Sequence, residues 1–169
     1  MNNTITVNIS DMKVAQNADI LVTYALGSCI GICFYDPFKK IGALGHIMLP
    51  FANTDEDAKN KKHRFANTCI PEMINEMIKL GCNKRNIVAK IAGGATMFKL
   101  VNPRNPNSSN SDLNKIGAKN ISAVKETLKE HRILLLEEDV GADYARTLYF
   151  DTESGKITIK SCNRQINII

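Results

Sequence analysis

The sequence predicts one α+β domain in which about seven strands and two main helices pack in layers. A length of 169 residues is that of a single domain, and neither an internal repeat nor a domain boundary interrupts residues 1–169. Strand-like apolar segments follow one another in groups and do not alternate strictly with helices, which is typical of α+β architecture. An apolar fraction of 44% with 23% charged residues excludes a fibre or a fully disordered chain.

Four strands are predicted in the first part of the chain. Thr4–Ile9 alternates polar and apolar residues with period two, and Ile20–Tyr24 is β-branched and aromatic. Ser28–Tyr35 and Leu44–Leu49 are two further apolar runs. The segment Asp36–Gly42 between them contains Asp-Pro and Gly, which favour a turn, so the two runs are predicted to form a β-hairpin.

Two later segments show helical periodicity. Apolar residues recur every three or four positions over Ile70–Ile78, and Gly81 is predicted to end this helix. A second helix is predicted at about Asn120–His131. The polar segment Asn53–Arg64, which precedes the first helix, is predicted to be a surface loop or the frayed start of a helix.

The remaining elements are strands and turns. Ile87–Ala92 is predicted to be a strand that runs into Gly93-Gly94, and residues 102–114 are rich in Pro, Asn and Ser and therefore form a loop. The last predicted elements are three strands and a hairpin turn, at Ile133–Glu138, Arg146–Phe150, Lys156–Lys160 and Thr152–Gly155.

Composition and charge narrow the class of protein. No run approaches the roughly 18 apolar residues of a membrane-spanning helix, and the N-terminus lacks the basic and apolar regions of a secretion signal. The five cysteines are therefore expected to be reduced thiols of a cytoplasmic protein. The net charge of +5 fits an acidic partner or nucleic acid.

A cysteine nucleophile needs a base or a cation nearby, most often histidine, and the chain has three histidines. His63 lies in a charged segment and is expected to be solvated, while His131 follows a helix end, where an imidazole interacts well with the helix dipole. His46 differs from both because it lies inside an apolar strand. It is therefore the candidate partner of a reactive thiol.

The predicted hairpin brings Cys29 toward His46. One turn length pairs the two residues directly, and a turn two residues longer makes them diagonal neighbours on the same face of the sheet. A shift of one residue would place the side chains on opposite faces. The residues Gly27-Ser28 favour Cys29 further, because small residues expose a sulfur and leave backbone N–H groups free for an oxyanion.

The other four thiols are expected to be structural. Cys33 follows Cys29 by four residues, but no Cys-x-x-Cys pair or second histidine cluster supports a zinc site. Cys69 and Cys82 flank the first predicted helix, and Cys162 has no histidine close in sequence.

Several motifs, in this order and spacing, resemble the CheD family of chemoreceptor glutamine deamidases. They cover essentially the whole chain and are Leu26–Gly31 (LGSCIG), Phe34–Pro37 (FYDP), Gly45–Pro50 (GHIMLP), Ile91–Phe98 (IAGGATMF) and Ile116–Asn120 (IGAKN). The family usually has arginine at the position of Lys119. The family's late glycine-rich motif is altered in Gly141–Arg146, where alanine replaces two glycines, and residues 102–114 are longer than the family's usual loop. Because alanine disfavours positive φ, the altered segment is expected to differ in conformation or in how it binds partners.

The resemblance implies a layered α/β sandwich with packed mixed β-sheets, similar to that of cysteine-hydrolase toxins that deamidate glutamine. It also implies that Cys29 is the nucleophile, His46 the catalytic histidine and Thr23 the third member of the triad. The implied reaction converts glutamines of methyl-accepting chemotaxis receptors to glutamate without a metal or cofactor. In that mechanism a Cys29 thiolate, partnered by protonated His46, attacks the amide while Thr23 orients the imidazole.

Two alternative functions belong to other classes. The resemblance implies a CheC-type phosphatase partner, so the chain could act as an adaptor that regulates that enzyme. The cluster Lys59, Lys61, Lys62, His63 and Arg64 could bind nucleic acid, but no aromatic side chains accompany it and a solvated charged segment is favoured.

Overall fold

The computed structural model describes residues 3–97, 115–161 and 165–169, which form ten strands and three α-helices. The strands are β1 (Thr4–Thr6), β2 (Met12–Ala15), β3 (Ile20–Leu26), β4 (Ile30–Asp36), β5 (Ile41–Ile47), β6 (Val88–Gly93), β7 (Leu134–Val140), β8 (Arg146–Asp151), β9 (Ile157–Ser161) and β10 (Ile166–Ile168). The helices are α1 (Asp55–Asn60), α2 (Ala66–Lys79) and α3 (Ile116–Glu130), with short 3₁₀ turns at Lys62–Arg64 and Lys84–Asn86.

The strands form two mixed five-stranded sheets. The first sheet has the order β1-β3-β8-β9-β10, and the second has the order β2-β5-β4-β6-β7. One neighbouring pair in each sheet is parallel, β1 with β3 and β6 with β7, and the other pairs are antiparallel. This arrangement confirms the predicted α+β class with packed mixed sheets.

Alternating side chains of β4 and β5 divide the interior into two apolar layers. Residues such as Ile32 and Ala43 face α2 and α3, where they pack with Met73 and Val124. Residues at the alternate positions, such as Leu44, face the first sheet and pack with its buried side chains. Every residue of β5 is buried, so this strand lies between the helices and the first sheet. The layer order is helices, second sheet, first sheet.

Short elements account for most differences from the sequence prediction. β2 and β10, of four and three residues, were not predicted because such short strands carry almost no periodic signal. β1 ends at Thr6, three residues earlier than expected. Within the predicted loop or frayed helix start, α1 is a complete short helix capped by the Thr54 side chain.

Both long helices begin four residues before their predicted starts. The first turn of α2 is Ala66–Cys69, which lacks the strong apolar residues of the later turns. The first turn of α3 is Ile116–Lys119, which contains a glycine. The predicted loop at 102–114 lies outside the described residues.

Candidate active site

Cys29 lies in a sharp bend, residues 27–29, between β3 and β4. Its side chain is half-buried and packs against the apolar layer between the two sheets. The three carbonyl oxygens of this bend all accept hydrogen bonds. Ala95 N donates to Gly27 O at 2.8 Å, Asn120 Nδ2 donates to Ser28 O at 2.8 Å, and Gly94 N donates to Cys29 O at 2.8 Å. The bend is therefore fixed on its carbonyl side, while no described backbone carbonyl accepts from the N–H groups of Ser28 and Cys29.

Gly93 allows β6 to approach this bend closely. A Cβ placed on Gly93 would lie 2.2 Å from the carbonyl oxygen of Cys29, and the residue has a φ of +115°. Both the contact and the backbone conformation require glycine. The motif Gly93-Gly94, which the sequence placed only at the end of a strand, thus sets the position of the cysteine bend.

His46 lies near the end of β5, and its side chain points toward the first sheet. The residue is 0% exposed. Two backbone hydrogen bonds fix its main chain: His46 N donates to Asp11 O at 3.0 Å, and Ser10 N donates to His46 O at 2.9 Å. The segment leading into β2, which was not predicted to be near the site, therefore fixes the backbone of the histidine.

Thr23 connects the His46 ring to the N-terminal segment. Its hydroxyl group donates to Val7 O at 2.7 Å, and Thr23 Oγ1 lies 2.8 Å from His46 Nδ1. A carbonyl oxygen can only accept, so the single hydroxyl proton belongs to the bond with Val7. The bond to His46 must then be donated by Nδ1–H. In the neutral ring, Nε2 is therefore the nitrogen that carries the free lone pair.

The hairpin register is the diagonal one of the two that place Cys29 and His46 on the same face. Gly31, not Cys29, pairs with His46 across β4 and β5. Diagonal neighbours lie about 7–8 Å apart between Cα atoms. His46 Nε2 is buried and has no hydrogen-bond partner among the described residues, so no hydrogen bond joins it to the Cys29 sulfur. The two groups share one face and remain unlinked in this state.

Burial shifts the pKa values of Cys29 and His46 in the directions that disfavour a thiolate–imidazolium ion pair. Burial of the side chain raises the pKa of the Cys29 thiol, an effect partly opposed by the backbone N–H of Cys29 itself. Burial also lowers the pKa of His46 to about 4. At neutral pH the free site therefore holds a neutral thiol and a neutral imidazole. Both shifts oppose the expected resting pair of thiolate and protonated His46.

The other thiols are poor nucleophiles. Cys33, Cys69 and Cys82 are buried and reduced, and burial is the main cause that raises all three pKa values, that of Cys69 to about 12 and that of Cys82 to about 11. Cys162 lies outside the described residues. The sequence-based preference for Cys29 agrees with its being the most exposed of these four described thiols.

The two other histidines lie in other elements, His63 in a 3₁₀ turn and His131 at the end of α3. His131 caps the C-terminus of α3, as expected. The expectation of a solvated His63 is wrong, because the residue is half-buried in a 3₁₀ turn and its Nε2 atom is buried. Burial and the neighbouring Lys62 ammonium lower the pKa of His63.

Within the segment Gly141–Arg146, Gly141 and Ala142 have a left-handed backbone. Ala142 has a φ of 60°, and its carbonyl oxygen accepts from Thr96 N at 2.8 Å. Arg146, which is buried, donates from Nε to Asp139 at 2.9 Å and from Nη1 to the Gly141 carbonyl at 3.0 Å. These contacts hold the conformation that alanine disfavours, so Ala142 has not abolished positive φ.

Asn120 is a site residue that sequence reasoning missed. It was placed only in a helix and in a family motif, but it is 0% exposed and its Nδ2 contacts two backbone carbonyls at the site. A polar amide that is buried on a helix points to a specific role. A single sequence does not show that Asn120 is buried, so that signal was absent.

Lys61 and Lys62 of the basic cluster both form ion pairs, with Asp57 at 2.9 Å and Glu72 at 2.5 Å. These pairs favour the solvated charged segment over a nucleic-acid site.

No group of three or more potential ligand side chains that could hold a metal occurs in ranges 3–97, 115–161 and 165–169. Across the same part of the chain, none of the helices combines the length and apolar character needed to span a membrane.

Comparison with known proteins identifies relatives of the entire chain. Residues 48–161 match the family model CheD, described as CheD chemotactic sensory transduction. A probable chemoreceptor glutamine deamidase CheD of Syntrophomonas wolfei is 45% identical over 169 residues and is covered over its full length, as is this chain. A protein of the same name from Caldanaerobacter subterraneus is 41% identical over 163 residues, 96% of each chain. Another from Clostridium botulinum is 45% identical over 157 residues, 93% of this chain and 92% of its own.

Proposed function

The chain belongs to the CheD family, and from this we propose that it is a protein-glutamine deamidase acting on chemoreceptors. It hydrolyses the side-chain amide of specific glutamines in methyl-accepting chemotaxis receptors, leaving glutamate and releasing ammonia. The observation that carries the mechanism is the oriented, buried His46 on the same face as the half-buried Cys29 thiol. Because a neutral imidazole with a free Nε2 is a base, this pair suits acyl transfer from an amide.

The first step forms a thioester. As the Cys29 sulfur attacks the carboxamide carbon of glutamine, His46 Nε2 takes the thiol proton. The N–H groups of Ser28 and Cys29, from which no described backbone carbonyl accepts, donate to the developing oxyanion. His46 then gives its proton to the leaving nitrogen, which departs as ammonia.

The second step restores the enzyme. His46 removes a proton from water, the resulting hydroxide attacks the thioester carbon, and the bond to sulfur breaks. The thiol regains a proton and the product side chain is a carboxylate. Throughout, the hydrogen bond from His46 Nδ1–H to Thr23 keeps the ring in one orientation and stabilises the imidazolium that forms transiently.

Burial of the pair gives this mechanism a physical rationale. A thiolate and an imidazolium would both lose solvation at this site, so their formation is deferred until substrate is bound. Substrate then supplies the carbonyl carbon and excludes water, and the two groups need to approach within hydrogen-bond distance only in that complex. The unlinked arrangement of the free protein is compatible with this sequence of events.

The surface around Cys29 offers apolar contact for a receptor helix. Met97, 38% exposed, lies against Gly27, and Met48, 37% exposed, follows His46 by two positions. Thioether side chains adapt to different apolar surfaces, which fits an enzyme that accepts more than one glutamine. The net charge of +5 adds attraction to acidic receptor helices, screened beyond about 8 Å at physiological salt. Such helices would meet the enzyme in the cytoplasm.

The test is deamidation of purified receptor cytoplasmic fragments, measured as ammonia release and as the amide-to-acid mass change of glutamine peptides. The unmodified chain should show both signals. Cys29→Ala should lose both, whereas the matched control Cys33→Ala should retain them because Cys33 is buried on the next strand. Deamidation by Cys29→Ala at the parent rate would refute the nucleophile.

A CheC-type phosphatase is the second proposed partner, and it rests on family membership alone. Binding to such a phosphatase needs the surface of the chain but not the thiol. Cys29→Ala should therefore still change the rate of response-regulator dephosphorylation after it has lost deamidase activity. A variant that loses both together would argue against an independent adaptor function.

A further inference from the structure

Asn120 joins the two segments that carry the proposed nucleophile and base. Its Nδ2 group donates to Ser28 O, in the cysteine bend, at 2.8 Å and to Met48 O, two residues beyond His46, at 3.0 Å. Both protons of one amide are thereby used on two carbonyls from different segments, the cysteine bend and the residue after β5.

The approach of α3 to the site makes this contact possible. Gly117 lies one turn earlier on the helix, and a Cβ there would lie 2.4 Å from Gly94 O and 2.7 Å from Ala95 O. The start of α3 therefore packs directly against the backbone that holds the cysteine bend. Residues three apart share a helix face, so Asn120 is directed at the same place as Gly117.

Burying the Asn120 side-chain amide costs desolvation free energy that only its hydrogen bonds can offset. Asn120 is 0% exposed, and its Oδ1 is buried without a hydrogen-bond partner among the described residues. An apolar residue would avoid that unpaired acceptor, but it would leave the Ser28 and Met48 carbonyls without their shared donor. The side chain is thus oriented for its two N–H groups.

From these contacts we infer that Asn120 is a positioning residue of the active site, which holds the Cys29 bend and the end of β5 at a fixed separation. It does not touch the reacting atoms. Its effect on catalysis passes through Ser28, which adjoins Cys29, and through Met48, which follows His46 by two residues. The inference rests on the proposed function for its turnover measurements, but the geometry of the thiol can be probed without substrate.

Measurements of kcat and KM distinguish a positioning role of Asn120 from a role in stability alone. Asn120→Ala should lower kcat by about tenfold to a hundredfold, because displacing reacting groups by about 1 Å has effects of that size. KM should change little, because the residue does not contact substrate. The matched control is Thr127→Val, which removes another buried polar group of α3 whose hydroxyl donates only to Ala123 O. That variant should keep kcat even where its stability falls.

The pH dependence of Asn120→Asp provides a second measurement that does not depend on the alanine variant folding. The ionised carboxylate that this substitution introduces cannot donate to either carbonyl, whereas the protonated acid restores one donor. Burial beside two carbonyls raises the pKa of such an acid, so protonation occurs within the assay range. The ratio of variant to parent kcat should therefore rise as pH falls from about 8 to about 6.

Alkylation of Cys29 by iodoacetamide, located by mass spectrometry of its peptide, reports on the bend without turnover. A released bend exposes the thiol to water, so alkylation of Asn120→Ala or Asn120→Asp should be faster than that of the parent at neutral pH. Parent-like alkylation together with a kcat ratio that does not vary with pH would overturn the inference, as would equal losses in Thr127→Val. If the parent releases no ammonia, the proposed function fails while alkylation still decides the role of Asn120.

Discussion

Thr23 Oγ1 lies 2.8 Å from Nδ1 of His46, and the same hydroxyl group donates to the Val7 carbonyl oxygen at 2.7 Å. This pair of bonds determines which ring nitrogen is a base. The contact crosses from the first sheet to the second, so the sheet packing that builds the core also selects the histidine tautomer.

Thr23→Val should lower kcat by at least about tenfold, since the isosteric side chain leaves Nδ1–H of His46 and the Val7 carbonyl unpaired. Leaving these buried groups unpaired should also cost about 1–3 kcal/mol of unfolding free energy. Thr23→Ser keeps the hydroxyl and is the matched control, expected to retain most activity. Nitrogen chemical shifts of the His46 ring should show Nδ1 protonated in the parent. A ring protonated at Nε2 would contradict the assigned tautomer.

Unfolding free energy should depend on pH through His46. Its pKa is about 4 when folded, against an ordinary 6.5, so the unfolded chain binds the proton first as pH falls. The stability associated with neutral His46 is fully present above about pH 6.5 and is lost as pH falls toward about 4, by about 3 kcal/mol in total.

Denaturant unfolding of the parent and of His46→Gln across this pH range would measure that change. The difference between the two proteins should vary with pH in the stated direction. His63→Gln is the control, because burial also lowers the pKa of this half-buried histidine, and it should retain the pH dependence that belongs to His46. A difference between parent and His46→Gln that is constant with pH would show that the His46 pKa is not lowered.

The alkylation rate of Cys29 should keep rising with pH beyond the ordinary thiol pKa of 9.0, because burial raises its pKa. Iodoacetamide kinetics on the folded protein would measure the profile. Cys33, which is buried, should remain unmodified under the same conditions. A plateau of the Cys29 rate near neutral pH would instead indicate a thiolate stabilised by protonated His46 in the free enzyme.

Gly93→Ala should abolish deamidation, because its Cβ would meet the Cys29 carbonyl at 2.2 Å and force the bend to move. The control is Gly81→Ala, whose φ of +90° is also unfavourable for alanine but whose Cβ would meet nothing within 4 Å. That control should lose about 1 kcal/mol of stability and keep its activity. Ammonia release and thermal unfolding of both variants separate the two effects. Full activity in Gly93→Ala would show that the close approach does not matter.

Ala142→Gly should stabilise the protein by about 0.5–1 kcal/mol, because Ala142 has a φ of 60° and glycine adopts this conformation without steric cost. Thermal or denaturant unfolding would measure the gain. Ala58→Gly is the opposite control, since Ala58 lies within α1 and glycine there lowers helix stability. A loss of stability in Ala142→Gly would show that alanine is not strained in this segment.

Patterns local in the chain were enough for several features. The hairpin of β4 and β5, the two long helices and the strands β6 to β9 follow from apolar periodicity and turn residues. Those elements account for the α+β class. Cys29 and His46 could be selected because a thiol after Gly-Ser and a histidine inside an apolar strand are unusual in one short segment. The resemblance to the CheD family then added Thr23, and family membership is confirmed by relatives 41–45% identical over nearly the whole chain.

Tertiary packing decided what no local pattern contains. Hairpin registers two residues apart present the same faces, so the sequence left both open, and the turn from Pro37 to Lys40 selected the diagonal one. The contacts of Thr23 with Val7, and of Asn120 with Ser28 and Met48, join residues 16 to 92 positions apart. The neutral state of the thiol and imidazole likewise depends on burial, which arises only when both sheets and the helices are assembled. Sequence alone thus selected the side chains that we propose to supply the chemistry, and the packed layers decided their separation, tautomer and protonation.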